Sequence, residues 1–314
     1  MKVYAVVHGF VPEHGAGAEW MLHDMLKYLV DKGHEATVYC PEIEEKVFNG
    51  IKVTNQLDKS EIKQSDVLIS HLNLTGQALN LSRELEKPLI WIAHNTHHYG
   101  IVSVRRHNVG IIYNSQYVKD GVGQYHKNQP GIIVNPPCDI NHYKIRKPGS
   151  HVTLVNINDA KGGATLKHLA EAMPNEKFLG VKGGYGNQVL DQPKNVKIVE
   201  NMADIRKAYA KSRIVMMPSR YESWGRVAVE AMSCGLPVIA NPTPGLQESL
   251  GDAGYFVKFN DVQGHIDAIK DIDANYPEWQ EKVKLRSVEL YEQSQKQLAE
   301  FEAFVQKMSK WNPI

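Results

Sequence analysis

Cysteine is scarce: three in 314 residues, Cys40, Cys138 and Cys234, all far apart. That spacing offers neither a disulfide framework nor the paired cysteines of a zinc knuckle. No apolar run approaches the roughly 18 residues of a membrane-spanning helix. The start, MKVYAVVHGF, is a short apolar strand without the long central stretch of a signal peptide. A cytoplasmic protein without a transmembrane segment is the expectation. An excess of either charge is also missing, with 36 Lys and Arg against 35 Asp and Glu. A protein that works mainly by coating nucleic acid or acidic membrane is thereby disfavoured. What is present is ordinary globular composition, 42% apolar and 23% charged. The length suits two domains of about 150 residues each. Histidine is unevenly placed, with 11 of 14 before residue 150.

The first half alternates short apolar strands with amphipathic helices. KVYAVVHGF reads as a strand, HGAGAE as a glycine-rich turn, and WMLHDMLKYLVDKG as a helix stopped by Gly33. HEATVYC, SDVLISH, PLIWIAH and VGIIYNS are further strands. VNPPCDINHYKIRKPGS breaks the rhythm with three prolines and reads as a linker. The alternation then restarts at HVTLVNI. It continues through the helix GATLKHLAEAM, the strands EKFLGVKGG and NVKIVEN, the helix MADIRKAYAKS, the strand RIVMMPS, the helix WGRVAVEAMSCG and the strand LPVIAN. Such βα alternation with near-continuous apolar strands predicts parallel sheets covered on both faces. The expected fold class is α/β, two doubly wound Rossmann-like domains facing across a cleft. The expected boundaries are 1–140, 141–286 and a C-terminal helix over 287–314 that returns to the first domain, anchored by Phe301, Phe304 and Trp311.

Within SRYESWGRVAVEAMSCGLPVIANPTPG two acids, Glu222 and Glu230, stand eight apart with Gly225 between them at an expected helix start. A helix start presents free N–H groups and the positive end of its dipole, which together bind anions. Carboxylates on either side are acceptors suited to hydroxyls. A diphosphate at the turn, with a sugar toward one acid and a ribose toward the other, satisfies all three features.

The whole string from Pro218-Ser219 through Glu222, Gly225, Glu230-Ala231-Met232, Gly235 and Pro237-Val238 resembles the donor-binding segment of glycosyltransferase family four. These are retaining enzymes of the GT-B fold. The resemblance implies that Glu222 holds donor-sugar hydroxyls and Glu230 the ribose, while Ser223, Trp224 and Gly225 offer N–H groups to the phosphates. It also places Gly15 and Gly17 of HGAGAE at donor phosphate and acceptor, and Gly183 of KGGYG on the donor side. Asn201 and Met202 fall where the family meets the nucleobase. Lys161 carries over as the base on the diphosphate and His94 as a group near the reacting sugar. The family's partner arginine is Asn156 here; Arg226 is either its stand-in or a solvated helix residue.

His97, His98, Arg105 and Arg106 are acceptor-side candidates. The run His94-x-x-His97-His98 has metal-ligand character, but no cysteine or glutamate stands at matching spacing. No metal and no other cofactor is expected, since Lys161 and the helix start already meet the phosphate charge. The implied reaction moves a hexose, with UDP-glucose the best donor guess, to a hydroxyl on a glycan, lipid, nucleic-acid base or small molecule. The alternative is a nucleotide-sugar-binding subunit with weak or no catalysis.

Overall fold

The structure, a computed structural model, describes residues 1–97, 104 and 109–311. The chain divides into two compact units, the first comprising 1–137 and 294–314, the second 138–293.

The first unit carries eight strands: β1 (Lys2–Val6), β2 (Glu35–Tyr39), β3 (Lys46–Phe48), β4 (Ile51–Thr54), β5 (Val67–His71), β6 (Leu89–Ala93), β7 (Gly110–Tyr113) and β8 (Gly131–Ile133). Their order is β3-β4-β2-β1-β5-β6-β7-β8. All pairings are parallel except β3 with β4. That hairpin interrupts the expected βα alternation. Its turn is Asn49-Gly50, both at positive φ (52° and 81°), the backbone a two-residue hairpin of this twist demands.

β5, β6 and β7 are buried along their whole length; β6 and β7 read as apolar runs, while β5 ends on the buried Ser70 and His71. The helix Gly17–Asp31 packs Met21, Leu22, Met25, Leu26 and Leu29 against one face of the sheet. The helix Tyr276–Ser309 runs unbroken for 34 residues, with no interruption at 287. Its later part adds Leu298, Phe301, Phe304, Val305 and Met308 to the same core, with Trp311 packed at the margin. A side chain at Gly110 would meet Phe304 and Met308 at 2.9 Å. β7 therefore starts with glycine where the helix lies on it.

The second unit carries β9 (His151–Val155), β10 (Phe178–Val181), β11 (Val196–Val199), β12 (Ser212–Met217), β13 (Val238–Ala240) and β14 (Gly254–Phe256), in the order β11-β10-β9-β12-β13-β14, all parallel. The order runs outward from β9 one way and from β12 the other. The switch point lies between these two strands, and in doubly wound sheets the crevice outside it binds ligand. The expected helix over MADIRKAYAKS is only Arg206–Tyr209. The Asp204 carboxylate takes the Arg206 N–H and guanidinium, an Asx-type turn that competes with helix, and the chain must enter β12 by Ser212.

Candidate active site

The loops leaving β9 and β12 meet at the switch point of the second unit. From β9 the chain enters a short 3-10 turn, Asp159–Lys161, capped by the Asn158 side chain, which accepts from the Lys161 N–H at 2.9 Å. From β12 it passes Pro218 and reaches Gly225, where the helix Arg226–Ser233 begins. Three contacts bind the loops together. The Arg220 N–H donates to the Ala160 carbonyl at 2.9 Å. Gly162, at φ 101°, lies so close to Pro218 that a Cβ would stand 2.3 Å from its ring. Lys161 Nζ meets Glu222 Oε1 at 2.5 Å. That ion pair is 21% and 14% exposed, a partly desolvated pair facing the crevice. Burial works against the Lys161 ammonium, but Glu222 and Tyr185 outweigh it and hold its pKa above the ordinary lysine value.

The helix Arg226–Ser233 has no side-chain cap, and its N-cap Gly225 sits at φ 86°. A non-glycine residue there would be strained and would drive a Cβ into Leu246 at 2.4 Å. Gly245 packs on the Ser223 and Glu222 backbone, where a Cβ would come within 2.5 Å of the Glu222 carbonyl oxygen. Ser249 donates to the Trp224 carbonyl at 2.7 Å, and the Trp224 ring is buried in the core of the unit. The turn Glu222 to Gly225 is thus shaped from behind, and the helix it opens has glycine, which has no capping side chain, as its N-cap.

Glu230 lies deeper. It is 6% exposed and collects three donors: Arg226 Nε at 2.8 Å and the Tyr143 hydroxyl at 2.9 Å on Oε1, and the Tyr209 hydroxyl at 2.8 Å on Oε2. A carboxylate has about four lone-pair sites, so roughly one is left for a ligand. Arg226 is engaged with Glu230 and its side chain is 9% exposed. As the first residue of the helix it reaches one turn along to that carboxylate. Tyr143 comes from the linker and Tyr209 from the short helix before β12; neither carries a sequence signal for this role.

Asn156 occupies a left-handed position, φ 67°, a conformation in which asparagine is far better tolerated than arginine. Its Oδ1 accepts from the Asn158 N–H and from Gln188 Nε2, both at 3.3 Å. Gly183 covers it so closely that a Cβ would stand 2.1 Å from its side-chain carbon. Gln188 also accepts from the Gly183 N–H at 2.9 Å and closes the KGGYG loop. Asn156 therefore organises the loop rather than projecting a charge. Asn201 is exposed beside Gly184, and Met202 packs on Leu179, Val181 and Ala208.

In the first unit the ends of β1, β5 and β6 gather histidines. His94 Nε2 and His71 Nδ1 are 2.8 Å apart, so one ring donates and the other accepts. His71 is fully buried, and its Nε2 has no partner among the described residues. Burial pushes the His94 pKa down to about 3, and burial with the neighbouring His94 and His8 rings lowers His71 well below the free value. His97 is exposed and its N–H caps on the Asn95 side chain. Gly15 lies exposed in the turn before the first helix, and Gly17, also exposed, is that helix's first residue. His98, Arg105 and Arg106 lie outside the described residues.

Both imidazoles bind protons less readily folded than unfolded. The unfolded rings protonate through about pH 6.5, and His94 in the folded chain only near 3. Stability present above that unfolded value is lost as pH falls toward the folded one. Urea unfolding at pH 7 and pH 5 is expected to show a lower free energy at pH 5, and the double substitution His71→Asn, His94→Asn should flatten that slope. An unchanged slope would refute the neutral-pair assignment.

Residues 167–275 match the family model Glycosyl transferases group 1. The resemblance is to group 1 glycosyltransferases. Among curated relatives, O-antigen chain mannosyltransferase B of Escherichia coli is 44% identical over 59 residues, 19% of this chain and 16% of that protein. The D-inositol 3-phosphate glycosyltransferase of Mycobacteroides abscessus is 26% identical over 194 residues, 52% of this chain and 44% of the relative. The matches thus span less than half the length of these relatives.

Solved structures align over nearly the whole chain. Anabaena HepE in complex with UDP-glucose aligns with TM-score 0.74 at 20% identity, covering 96% of this chain and 100% of that one. Sucrose-phosphate synthase of Thermosynechococcus elongatus aligns with TM-score 0.74 at 15% identity, covering 99% and 98%. At these identities the likeness establishes the fold, which is GT-B. Among the described residues no helix is long and apolar enough to cross a membrane.

Proposed function

We propose that this group 1 glycosyltransferase-like chain transfers a hexose, with retention, from a nucleoside diphosphate sugar to an acceptor hydroxyl. UDP-glucose is the first donor to try. The observation that carries the reading is the Lys161–Glu222 pair at the switch point of the second unit, beside the start of a helix whose N-cap is glycine. A bound diphosphate would take over the Lys161 ammonium and the first N–H groups of the helix. Glu222 would then turn to the hydroxyls of the donor sugar. The remaining acceptor site of Glu230 suits a ribose hydroxyl. In the transfer the anomeric C–O bond to the diphosphate breaks and a bond to the acceptor oxygen forms on the same face. The acceptor proton passes to the departing phosphate oxygen. The lysine and the helix start are in place before reaction, the arrangement that stabilises developing charge most.

Because those groups meet the phosphate charge, donor cleavage should need no divalent cation. Slow hydrolysis of UDP-glucose without acceptor, followed after exhaustive chelation, is expected to continue at about the original rate. A loss reversed by Mn²⁺ would mean that a cation carries the leaving-group charge. A thermal-shift screen across UDP-, GDP-, ADP- and TDP-sugars tests donor class, and failure of all four to raise the melting temperature would sink the reading.

Asn156 favours a second reading. Its uncharged side chain is held in the loop, which leaves one base on the diphosphate where the family has two. A nucleotide-sugar-binding subunit with weak or no catalysis would bind donor in the screen and fail to hydrolyse it. On either reading the acceptor is a glycan, a lipid, a nucleic-acid base or a small molecule, each of which offers the required hydroxyl.

A further inference from the structure

A second polar cluster lies in the first unit, where β1 runs into the glycine-rich turn. His8 follows β1, His14 stands in the turn, and Glu19 lies in the first turn of the helix Gly17–Asp31. Glu19 is 2% exposed, and its Oε2 has no hydrogen-bond partner among the described residues. Its Oε1 stands 3.9 Å from His8 Nε2, too far for a hydrogen bond. His8 Nδ1 is likewise buried without a partner among the described residues. A buried carboxylate with one oxygen unpartnered among the described residues is costly unless a cation compensates it.

The local backbone is shaped to bring the cluster together. Gly9 has no side chain because the His14 ring occupies that place; a Cβ would stand 2.8 Å from its Cγ. The His8 and His14 rings meet edge to face at 5.6 Å between centroids. One ligand atom from each of His8, His14 and Glu19 lies within 4.8 Å of the other two. Three atoms so placed share a point within about 2.8 Å of all of them, against metal–ligand distances of about 2.0–2.2 Å for zinc with histidine and carboxylate. Side-chain movements under about 1 Å would close the site.

We propose that His8, His14 and Glu19 form a binding site for a borderline divalent transition metal, Zn²⁺ in the first instance. Two imidazoles and one carboxylate are a donor set for such ions and leave coordination positions open for oxygen ligands. Magnesium and calcium, which prefer all-oxygen sets, should bind far more weakly. All three residues belong to the first unit, and the proposal does not depend on the roles assigned to Lys161 and Glu222. Among the described residues, neither His94 nor His97 is one of its three ligands.

The test is metal binding to the full chain, stripped by chelator and dialysed. Isothermal titration with Zn²⁺ is expected to give one site per chain, and Co²⁺ to give visible d–d absorption. His14→Ala and Glu19→Gln should each weaken Zn²⁺ binding at least tenfold, and together abolish it. Thermal melting guards against misfolding as the cause: Zn²⁺ should raise the melting temperature of the wild type, while Glu19→Gln, relieved of a buried charge, should melt no lower than the metal-free wild type and gain nothing from Zn²⁺. Wild type and the double variant binding Zn²⁺ alike would overturn the proposal, as would a wild type that binds none. Donor hydrolysis by the metal-free protein reads the proposed transfer separately, so the two can fail independently.

Discussion

Glu230→Ala is expected to destabilise the second unit by about 3–5 kcal/mol, the usual cost of removing one partner from a buried ion pair. The substitution strands the Arg226 guanidinium and the Tyr143 and Tyr209 hydroxyls, all bonded to that carboxylate. For a unit of this size the melting temperature should fall on the order of 10 °C. Tyr143→Phe and Tyr209→Phe each remove one neutral donor and leave the carboxylate two others, so each should cost about 1 kcal/mol or slightly more. Glu230→Gln keeps one acceptor oxygen and should fall between.

Donor affinity is therefore best read on Glu230→Gln, whose fold survives; Glu230→Ala should lose more affinity still. Thermal melting and calorimetry with the nucleotide check both points. A melting temperature for Glu230→Ala within about 2 °C of wild type would show that the network does not hold the helix to the linker.

Lys161→Ala should lower turnover by about 10² or more, comparable to the loss of one preorganised transition-state donor. Removing the ammonium also leaves Glu222, now partly buried without its cation, repelling the very diphosphate it should sit beside. Donor binding should weaken as well, whereas binding of the nucleoside monophosphate, which lacks the second phosphate, should change little. Lys161→Arg restores charge but not the compact geometry of a single ammonium, and partial recovery is expected. Unchanged turnover in Lys161→Ala, measured by donor consumption at saturating concentration, would mean that the diphosphate charge is met elsewhere.

The pattern of strands along the chain was plain in the sequence because parallel strands buried on both faces are largely apolar, as β6 and β7 are throughout and β5 is until Ser70 and His71. The hairpin of β3 and β4 has a signal in Asn49-Gly50, but its strands are only three and four residues long, and β3 has no buried residue to mark it as apolar. The helix from Arg226 was legible through Gly225 and its apolar spacing. The short helix before β12 was overestimated, because the competing turn at Asp204 depends on a side chain bonding to a backbone group two residues on.

The sequence by itself determined the α/β class, the position of the helix start between two glutamates and the likeness to a glycosyltransferase family. Those are properties of local spacing, and spacing is what a chain carries before it folds. Tertiary structure alone decided which charges meet. Lys161 and Glu222 are 61 residues apart and pair because their strands flank a switch point. Glu230 draws on a linker tyrosine 87 residues away. His71 and His94 touch because β5 and β6 are neighbours. Asn156 shows both at once: the sequence gives an uncharged residue, and only the positive φ at the end of β9 explains why a long cation is disfavoured there. Pairings of this kind are set by sheet order and burial, quantities that no window of sequence contains.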